Sequence, residues 1–247
     1  MIPTTIAILV AAMVGTAFLS GIFGMAGGLI LVGILLAIMP LPEAMMLHGI
    51  TQLASNGWRG AMWIKYVHWR PVAAYIAGCA LAMAVWSFTR YVPDKPLALL
   101  LLGVTPFTIR LLPARFKPNP ESPVQTATCG TVCMSLILLT GVSGPLVDTF
   151  FLGGKMDRRE IVATKAICQM FGHLAKILYF GALIDQTASV DPLVAALAIA
   201  ASMVGTTLAG RVLQAMTDKQ FRAWANGLIT VIASYYILQS AYLFVVS

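Results

Sequence analysis

Two runs of polar and cationic side chains with identical spacing lie inside hydrophobic stretches of this chain. The first stripe has intervals of four, four and three residues and consists of His48, Gln52, Asn56 and Arg59. The second stripe repeats these intervals 117 residues later and consists of Lys165, Gln169, His173 and Lys176. On an α-helix such intervals bring four side chains to one face. Because polar side chains are costly against lipid, each stripe should face a protein interior or a water-filled cavity.

The side chains of both stripes are of the types that bind small oxyanions. Arginine presents a planar fork of N–H donors, lysine a point charge, and the amides of glutamine and asparagine further donors and acceptors. Histidine can be neutral or charged near physiological pH. Asp148 is the only acidic residue clearly inside an apolar stretch, so positive charge dominates. All eight stripe residues are therefore predicted to bind an anion, with Arg59 and Lys176 as the leading candidates.

Structural roles stay open for some of these residues. Arg59 and Lys165 lie close to the ends of their apolar segments, from which long side chains can reach the membrane interface. Lys176 lies deeper and would need a partner such as Asp148, and that pair could act as a coupling or gating element. Either histidine could also be a hydrogen-bonded core residue.

The composition predicts an all-α polytopic membrane protein. Of the 247 residues, 59% are hydrophobic and 10% are charged, and the mean hydropathy is +0.87, whereas soluble domains have about 25% charged residues. A transmembrane helix needs roughly 20 apolar residues, and long unbroken runs do not fit the short alternating strands of a barrel. The ten predicted segments are about 4–20, 25–39, 43–64, 71–89, 96–112, 124–140, 145–154, 160–183, 190–213 and 221–245.

The charges between these segments predict their orientation. The net charge of +7 comes mostly from cations between apolar segments, which is typical of membrane orientation rather than of nucleic-acid binding. If all ten segments cross, one side holds eleven cations, namely Lys65, Arg70, Arg110, Arg115, Lys117, Lys155, Arg158, Arg159, Arg211, Lys219 and Arg222. The other side holds only Arg90 and Lys95. The side with more cations is then cytoplasmic, and both termini lie outside the cytoplasm. The protein is predicted to reside in the cell's inner membrane.

A second topology remains open, in which segments two and seven are re-entrant. Both segments are short and bounded by glycines. In that arrangement eight of the same cations lie on one side of the membrane and five on the other, a difference too small to follow the positive-inside rule well. Ten crossings are therefore favoured.

Two inverted repeats of five segments are predicted. The chain divides into a first repeat (1–112), a cytoplasmic linker (113–123) and a second repeat (124–247). Besides the stripes, the matching pairs are Gly21–Gly24 with Gly141–Gly144, Glu43 with Glu160, and Asp94 with Asp218. Because five is an odd number, the repeats enter the membrane from opposite sides, as in many secondary transporters with a substrate site at the repeat interface.

Both glycine pairs are interpreted as breaks at which a new half-helix begins. Pro145 suits the first turn of the second half-helix, where its missing N–H costs nothing. A helix N-terminus presents free N–H groups and about half a positive charge. Gly24 and Gly144 are therefore added to the predicted substrate-binding residues. Gly27 and Gly28 could belong to the same site or simply allow close helix packing.

The cysteines do not have the spacing of metal ligands. Cys129 and Cys133 lie one helical turn apart, whereas Cys79 and Cys168 are isolated in the sequence. We interpret all four as small packing residues. No metal and no cofactor are predicted.

The chain resembles the sulfite exporter TauE/SafE family of membrane permeases over nearly its whole length. The resemblance rests on SGIFGMAGG with PEAMMLHGITQLASN, and on TGVSGPLVD with DRREIVATKAICQMFGH. It implies transport of small sulfur-containing anions such as sulfite, organosulfonates or thiosulfate, often driven by an ion gradient. The two halves differ, because Asp148 stands where the first repeat has Gly28 and Lys165 corresponds to His48.

The predicted function is secondary transport of a small sulfur-containing oxyanion, with a coupling proton or ion and a homodimer left open. One alternative is a cation- or proton-linked carrier that uses Asp148. Another is a thiosulfate-type permease, for which Cys168 beside Gln169 could matter. A channel and a membrane scaffold also remain open. A membrane-embedded enzyme is least favoured, since the sequence has no metal-ligand spacing, no nucleophile beside a base and no paired catalytic carboxylates.

Overall fold

The structure, a computed structural model, describes residues 3–24, 26–89, 95–111, 118–184 and 189–246. Within these ranges the chain is helical, without β-strands. The ten α-helices are α1 (Pro3–Phe23), α2 (Ala26–Ile38), α3 (Leu41–Met62), α4 (Trp69–Thr89), α5 (Lys95–Leu111), α6 (Pro123–Thr140), α7 (Gly144–Leu152), α8 (Arg158–Leu178), α9 (Pro192–Ala215) and α10 (Asp218–Val246). A 3-10 turn (Ile64–Tyr66) follows α3, and a π-helical turn (Tyr179–Ile184) extends α8. The prediction of an all-α fold is confirmed.

Some sequence predictions fall outside the described residues. These are the loop positions Arg90, Asp94, Arg115 and Lys117, together with part of the predicted linker, 113–117.

Six of the described helices are long and apolar enough to cross a bilayer. They span Thr4–Phe23, Trp69–Thr89, Pro123–Thr140, Arg158–Ile184, Pro192–Ala215 and Asp218–Val245. The chain is therefore a multi-pass membrane protein. Helix α3 is equally long, but its polar stripe lowers its hydropathy. Helix α7 has only nine residues and rises about 13.5 Å, less than half of the roughly 30 Å of bilayer hydrocarbon.

The stripe-bearing helices pack against each other at the centre of the bundle. The most extensive helix contacts are α1 with α9, α4 with α6, α3 with α8, and α5 with α10. Helices α3 and α8 also contact α9 and α4 respectively. All eight stripe residues are buried, so the prediction that both stripes face the protein interior is confirmed.

Several of the predicted cation-rich connections meet at one end of the bundle, which we call the basic end. Arg222, near the start of α10, donates a hydrogen bond to the Met156 carbonyl, just before α8, at 2.6 Å. Arg158 pairs with Asp218 at 2.8 Å. The His68 N–H, before α4, donates to Thr164 Oγ1 of α8 at 3.0 Å. These contacts hold the α3–α4, α7–α8 and α9–α10 connections together.

Candidate functional site

The site is built around two helix breaks, each ending at a glycine in the left-handed region. Helix α1 ends at Gly24 (φ 93°) and α6 ends at Gly141 (φ 83°). Their N–H groups close the last turns by donating to Ser20 O at 2.7 Å and Ile137 O at 2.8 Å. Glycine suits both positions because residues with a Cβ rarely adopt this conformation. The new helices α2 and α7 begin within three residues, and Pro145 lies in the first turn of α7 as predicted.

The interval between the two glycines with positive φ differs from the interval that the sequence predicted for the two breaks. Gly24 and Gly141 lie 117 residues apart, the same interval that separates the stripes. The predicted match of Gly21–Gly24 with Gly141–Gly144 used an interval of 120. Two glycines in each motif permit either alignment, and the two glycines with positive φ match in the register of 117. In the register of 117, the counterpart of Asp148 is Leu31 rather than Gly28.

A narrow cavity lies between the breaks and the middle of both stripes. Residues of α2, α3, α7 and α8 contribute to its wall, which consists of Gly24, Gly28, Leu29, His48, Gln52, Val142, Ser143, Gly144, Gln169 and His173. The open volume at its centre is about 10 Å³, which is room for about one water molecule. Of the ten predicted substrate-binding residues, six therefore line one cavity: His48, Gln52, Gln169, His173, Gly24 and Gly144.

Four buried polar atoms of this wall have no hydrogen-bond partner among the described residues. They are Gln52 Nε2, Ser143 Oγ, Gln169 Oε1 and His173 Nδ1. An unpartnered buried polar atom costs about 1–3 kcal/mol, so their convergence on one cavity indicates a place for a polar guest. Rotation of either glutamine amide exchanges its donor and acceptor atoms. The wall can therefore present several donors to one small acceptor.

Two of the buried cations bind carbonyl groups at the end of α1. Arg59 donates to the Ser20 carbonyl and to the Asn56 side-chain oxygen. Lys165 lies 3.4 Å from the Phe23 carbonyl. Cations near a helix C-terminus stabilise its partial negative charge. Arg59, Asn56 and Lys165 thus lie behind the cavity wall rather than in it.

Lys176 and His48 connect the two breaks through a chain of hydrogen bonds. Lys176 Nζ donates to the Gly141 carbonyl at 3.0 Å and contacts His48 Nδ1. His48 Nε2 lies 2.8 Å from the Gly28 carbonyl, and the Gly28 N–H donates to Ser20 Oγ at 3.1 Å. A carbonyl only accepts, so a neutral His48 with its proton on Nε2 satisfies both contacts. Lys176 therefore supports the cavity from the end of α6.

Asp148 pairs with Lys165, not with Lys176 as the sequence suggested. The ion pair joins α7 to α8, and the two side chains are 0% and 1% exposed. Lys165 therefore does not reach the membrane interface, because its ammonium group is held inside the bundle. Asp148 Oδ2, on the other side of the carboxylate, has no partner within the part of the chain that the structure describes.

The ambiguous glycines separate into two roles. Gly27 is a packing position, because a Cβ there would overlap the Thr16 backbone of α1. Gly28 lines the cavity and would bring a Cβ to 3.1 Å from Gln52 Oε1. Cys168 is fully buried and is absent from the wall of this cavity.

Ser143 and Ser20 contribute to the site without having been predicted. Ser143 lies inside the GVSG break and faces the cavity, whereas Ser20 precedes the first glycine pair and accepts the Gly28 N–H. Both are polar residues immediately beside a glycine break, which is the signal that could have revealed them.

The fold and this buried polar centre define a multi-pass membrane protein with a polar cavity between its packed helices. The sequence model of the family described as "Sulfite exporter TauE/SafE" matches residues 7–236. The chain therefore belongs to the TauE/SafE family, a family of membrane transporters, as its sequence motifs predicted. No curated protein and no solved structure shows a significant match.

Proposed function

We propose that the protein is a secondary transporter that moves a small sulfur-containing oxyanion, such as sulfite or an organosulfonate, across the cytoplasmic membrane. The observation that carries the proposal is the convergence on one cavity, between the two breaks, of four buried polar atoms that have no partner among the described residues. A pyramidal or tetrahedral oxyanion presents three or four acceptor oxygens to such a wall. The amides of Gln52 and Gln169 and the hydroxyl of Ser143 can each donate to one of them.

The charges behind the wall favour an anion. Arg59, Lys165 and Lys176 surround the cavity with three cations, and Asp148 supplies the only buried carboxylate among the described residues. The first turns of α2 and α7 add the partial positive charge of two helix N-termini. In this arrangement neutral side chains contact the anion, and the cations stabilise it at longer range while holding the broken helix ends.

The pattern of helix contacts supports the proposed inverted repeat. If α1 to α5 correspond to α6 to α10, the contact of α1 with α9 is equivalent to that of α6 with α4. The contacts of α3 with α9, α1 with α2 and α2 with α3 likewise have counterparts in α8 with α4, α6 with α7 and α7 with α8. We propose that 1–112 and 124–247 are these repeats, with the basic end cytoplasmic and both termini outside.

The size of the cavity implies movement during transport. With room for about one water molecule, the wall must open before an oxyanion can enter. Gln52, Gln169 and His173 each have an atom on the wall without a partner in the described part of the chain, so they can move with little loss of hydrogen bonding. Rocking of the two repeats about the shared α3–α8 contact would open the cavity to each side in turn.

Flux measurements on reconstituted protein test the proposal. Proteoliposomes should accumulate or release labelled sulfite, methanesulfonate or thiosulfate faster than empty vesicles, and acetate serves as a non-sulfur control. A variant with both cavity amides removed, Gln52→Leu with Gln169→Leu, should reduce the flux to the background. Wild-type flux at the level of empty vesicles for the whole panel would refute the proposal.

A second candidate, a proton- or cation-linked carrier, is favoured by Asp148 Oδ2, which has no hydrogen-bond partner in the described ranges. A buried carboxylate with one free oxygen can take up a proton or a small cation at that atom. Asp148→Asn should then abolish gradient-driven uptake while anion binding survives. Uptake that still follows an imposed pH or sodium gradient in this variant would exclude Asp148 as the coupling residue.

A further inference from the structure

A second concentration of positive charge surrounds an open pocket at the basic end, away from the central cavity. Its wall consists of Met62, Trp63, Lys65, Tyr66, Arg159 and Gln214, and its volume is about 330 Å³. The residues come from the end of α3, the 3-10 turn, the start of α8 and the end of α9. We call this the Tyr66 pocket.

Both cations of the pocket lie beside the Tyr66 ring. Lys65 Nζ lies 5.3 Å from the centre of the Tyr66 ring, and the Arg159 guanidinium carbon lies 5.5 Å from it. Both distances are within the range of cation–π attraction. Arg159 NH1 also donates to the Tyr66 hydroxyl at 3.1 Å. Tyr66 therefore brings the two positive groups together, and its hydroxyl holds Arg159 in place.

The neighbouring acids are engaged elsewhere. Asp157 caps α8 by accepting the N–H groups of Arg159 and Glu160. Glu160 accepts the Asp157 N–H and pairs with His68 at 3.0 Å. Neither Lys65 nor Arg159 has a carboxylate within 4 Å among the described residues, and Arg159 Nε is buried without a partner there. The pocket therefore carries two positive charges that the described protein does not neutralise.

We infer that the Tyr66 pocket binds an oxyanion of the phosphate type, either as the headgroup of an anionic lipid or as a free ion. Arg159 offers a planar set of donors that can bind two oxygens together, and Lys65 offers a mobile point charge. Gln214 adds an amide, while Trp63 and Met62 provide an apolar side suited to a glycerol or acyl segment. Basic pockets between helices near a membrane surface bind anionic headgroups in this way. The inference does not depend on the function of the central cavity.

Two measurements on the purified full-length protein distinguish the sources of the anion. Native mass spectrometry with equimolar phosphatidylglycerol and phosphatidylcholine gives the ratio of retained lipids. Thermal unfolding with inorganic phosphate, against chloride at equal ionic strength, detects a free ion. The variants are Lys65→Gln and Arg159→Gln. The controls, Lys219→Gln and Arg211→Gln, remove the same charges from exposed positions outside the pocket wall.

If the pocket binds a lipid headgroup, each pocket variant should lower the ratio of bound phosphatidylglycerol to bound phosphatidylcholine about five-fold. The control variants should leave this ratio unchanged. For a free ion, phosphate should raise the unfolding temperature of the wild type and the controls but not of the pocket variants. Lys65 is exposed, so Lys65→Gln reports on binding even if Arg159→Gln weakens the fold through its lost bond to Tyr66. Equal behaviour of pocket variants and controls in both measurements would overturn the inference.

Discussion

Lys165 and Asp148 form a fully buried ion pair that joins α8 to α7 beside the end of α1. The same ammonium group lies 3.4 Å from the Phe23 carbonyl. One side chain therefore holds three elements in register next to the cavity. Removing one member of a buried pair leaves an uncompensated charge, whereas removing both does not.

We expect Asp148→Asn and Lys165→Met each to lower the free energy of unfolding by about 3–5 kcal/mol. The double variant should lose less than the two single variants together, because it leaves no isolated charge. Thermal unfolding of the detergent-purified proteins provides the comparison. Asp218→Asn, which removes the charge of the more exposed pair with Arg158, should cost about 1 kcal/mol or less. Additive losses in the double variant would show that the pair is not coupled.

Ser143→Ala should separate binding from stability. The Ser143 hydroxyl has no partner among the described residues, so its removal should leave the unfolding temperature unchanged or slightly raised. The affinity for the transported anion should fall about ten-fold, because a hydrogen bond to a charged group is lost. Ser55→Ala is the matched control, since this buried hydroxyl bonds Thr206 at 2.8 Å outside the cavity wall. It should cost about 1 kcal/mol of stability without changing the affinity, and the reverse pattern would contradict the proposed site.

Gly24→Ala should be strongly destabilising. The backbone at Gly24 has φ 93°, and a Cβ there would also crowd the Lys165 ammonium and come within 3.2 Å of Asp148 Oδ1. The conformational strain alone costs about 1–2 kcal/mol, and the displaced ion pair adds to it. In Gly15→Ala the new methyl group meets no described atom within 4 Å, so this variant should gain up to about 1 kcal/mol from helix propensity. Equal unfolding temperatures for the two variants would refute the role of the break.

Arg59→Ala and Lys176→Ala should each weaken anion binding, although neither side chain lines the cavity. Both remove a cation that also satisfies a helix-end carbonyl, at Ser20 and at Gly141 respectively. Arg59→Lys should retain part of the affinity, because it keeps the charge but loses the fork that binds two acceptors. Isothermal titration with the anion identified by the flux measurements provides the test. Lys155→Ala, an exposed loop variant, is the control, and normal binding by both stripe variants would make the cations purely structural.

The sequence was sufficient for the features that repeat within one helix. The spacing of His48, Gln52, Asn56 and Arg59 predicted a buried face, and the structure buries that face against the corresponding face of α8. Hydrophobic runs likewise predicted the ten helices. The family followed from motifs at the breaks, and the family comparison confirms it.

The spacing of residues within one helix could not predict the contacts between helices. Nothing in the sequence distinguishes Lys165 from Lys176 as the partner of Asp148, because the choice depends on how α7 lies against α8. For Ser143 the sequence does show a position beside the GVSG break, but the direction of its side chain toward the cavity depends on the turn between α6 and α7.

The equal spacing of the two stripes has a consequence for insertions and deletions. Each added residue turns the following part of an α-helix by about 100°. A single residue inserted between Gln52 and Asn56 would therefore point Asn56 and Arg59 away from the bundle centre while leaving His48 in place. We expect α3 and α8 to reject changes in length within their stripes. Insertions and deletions should therefore be tolerated least in the two helices that carry buried charges.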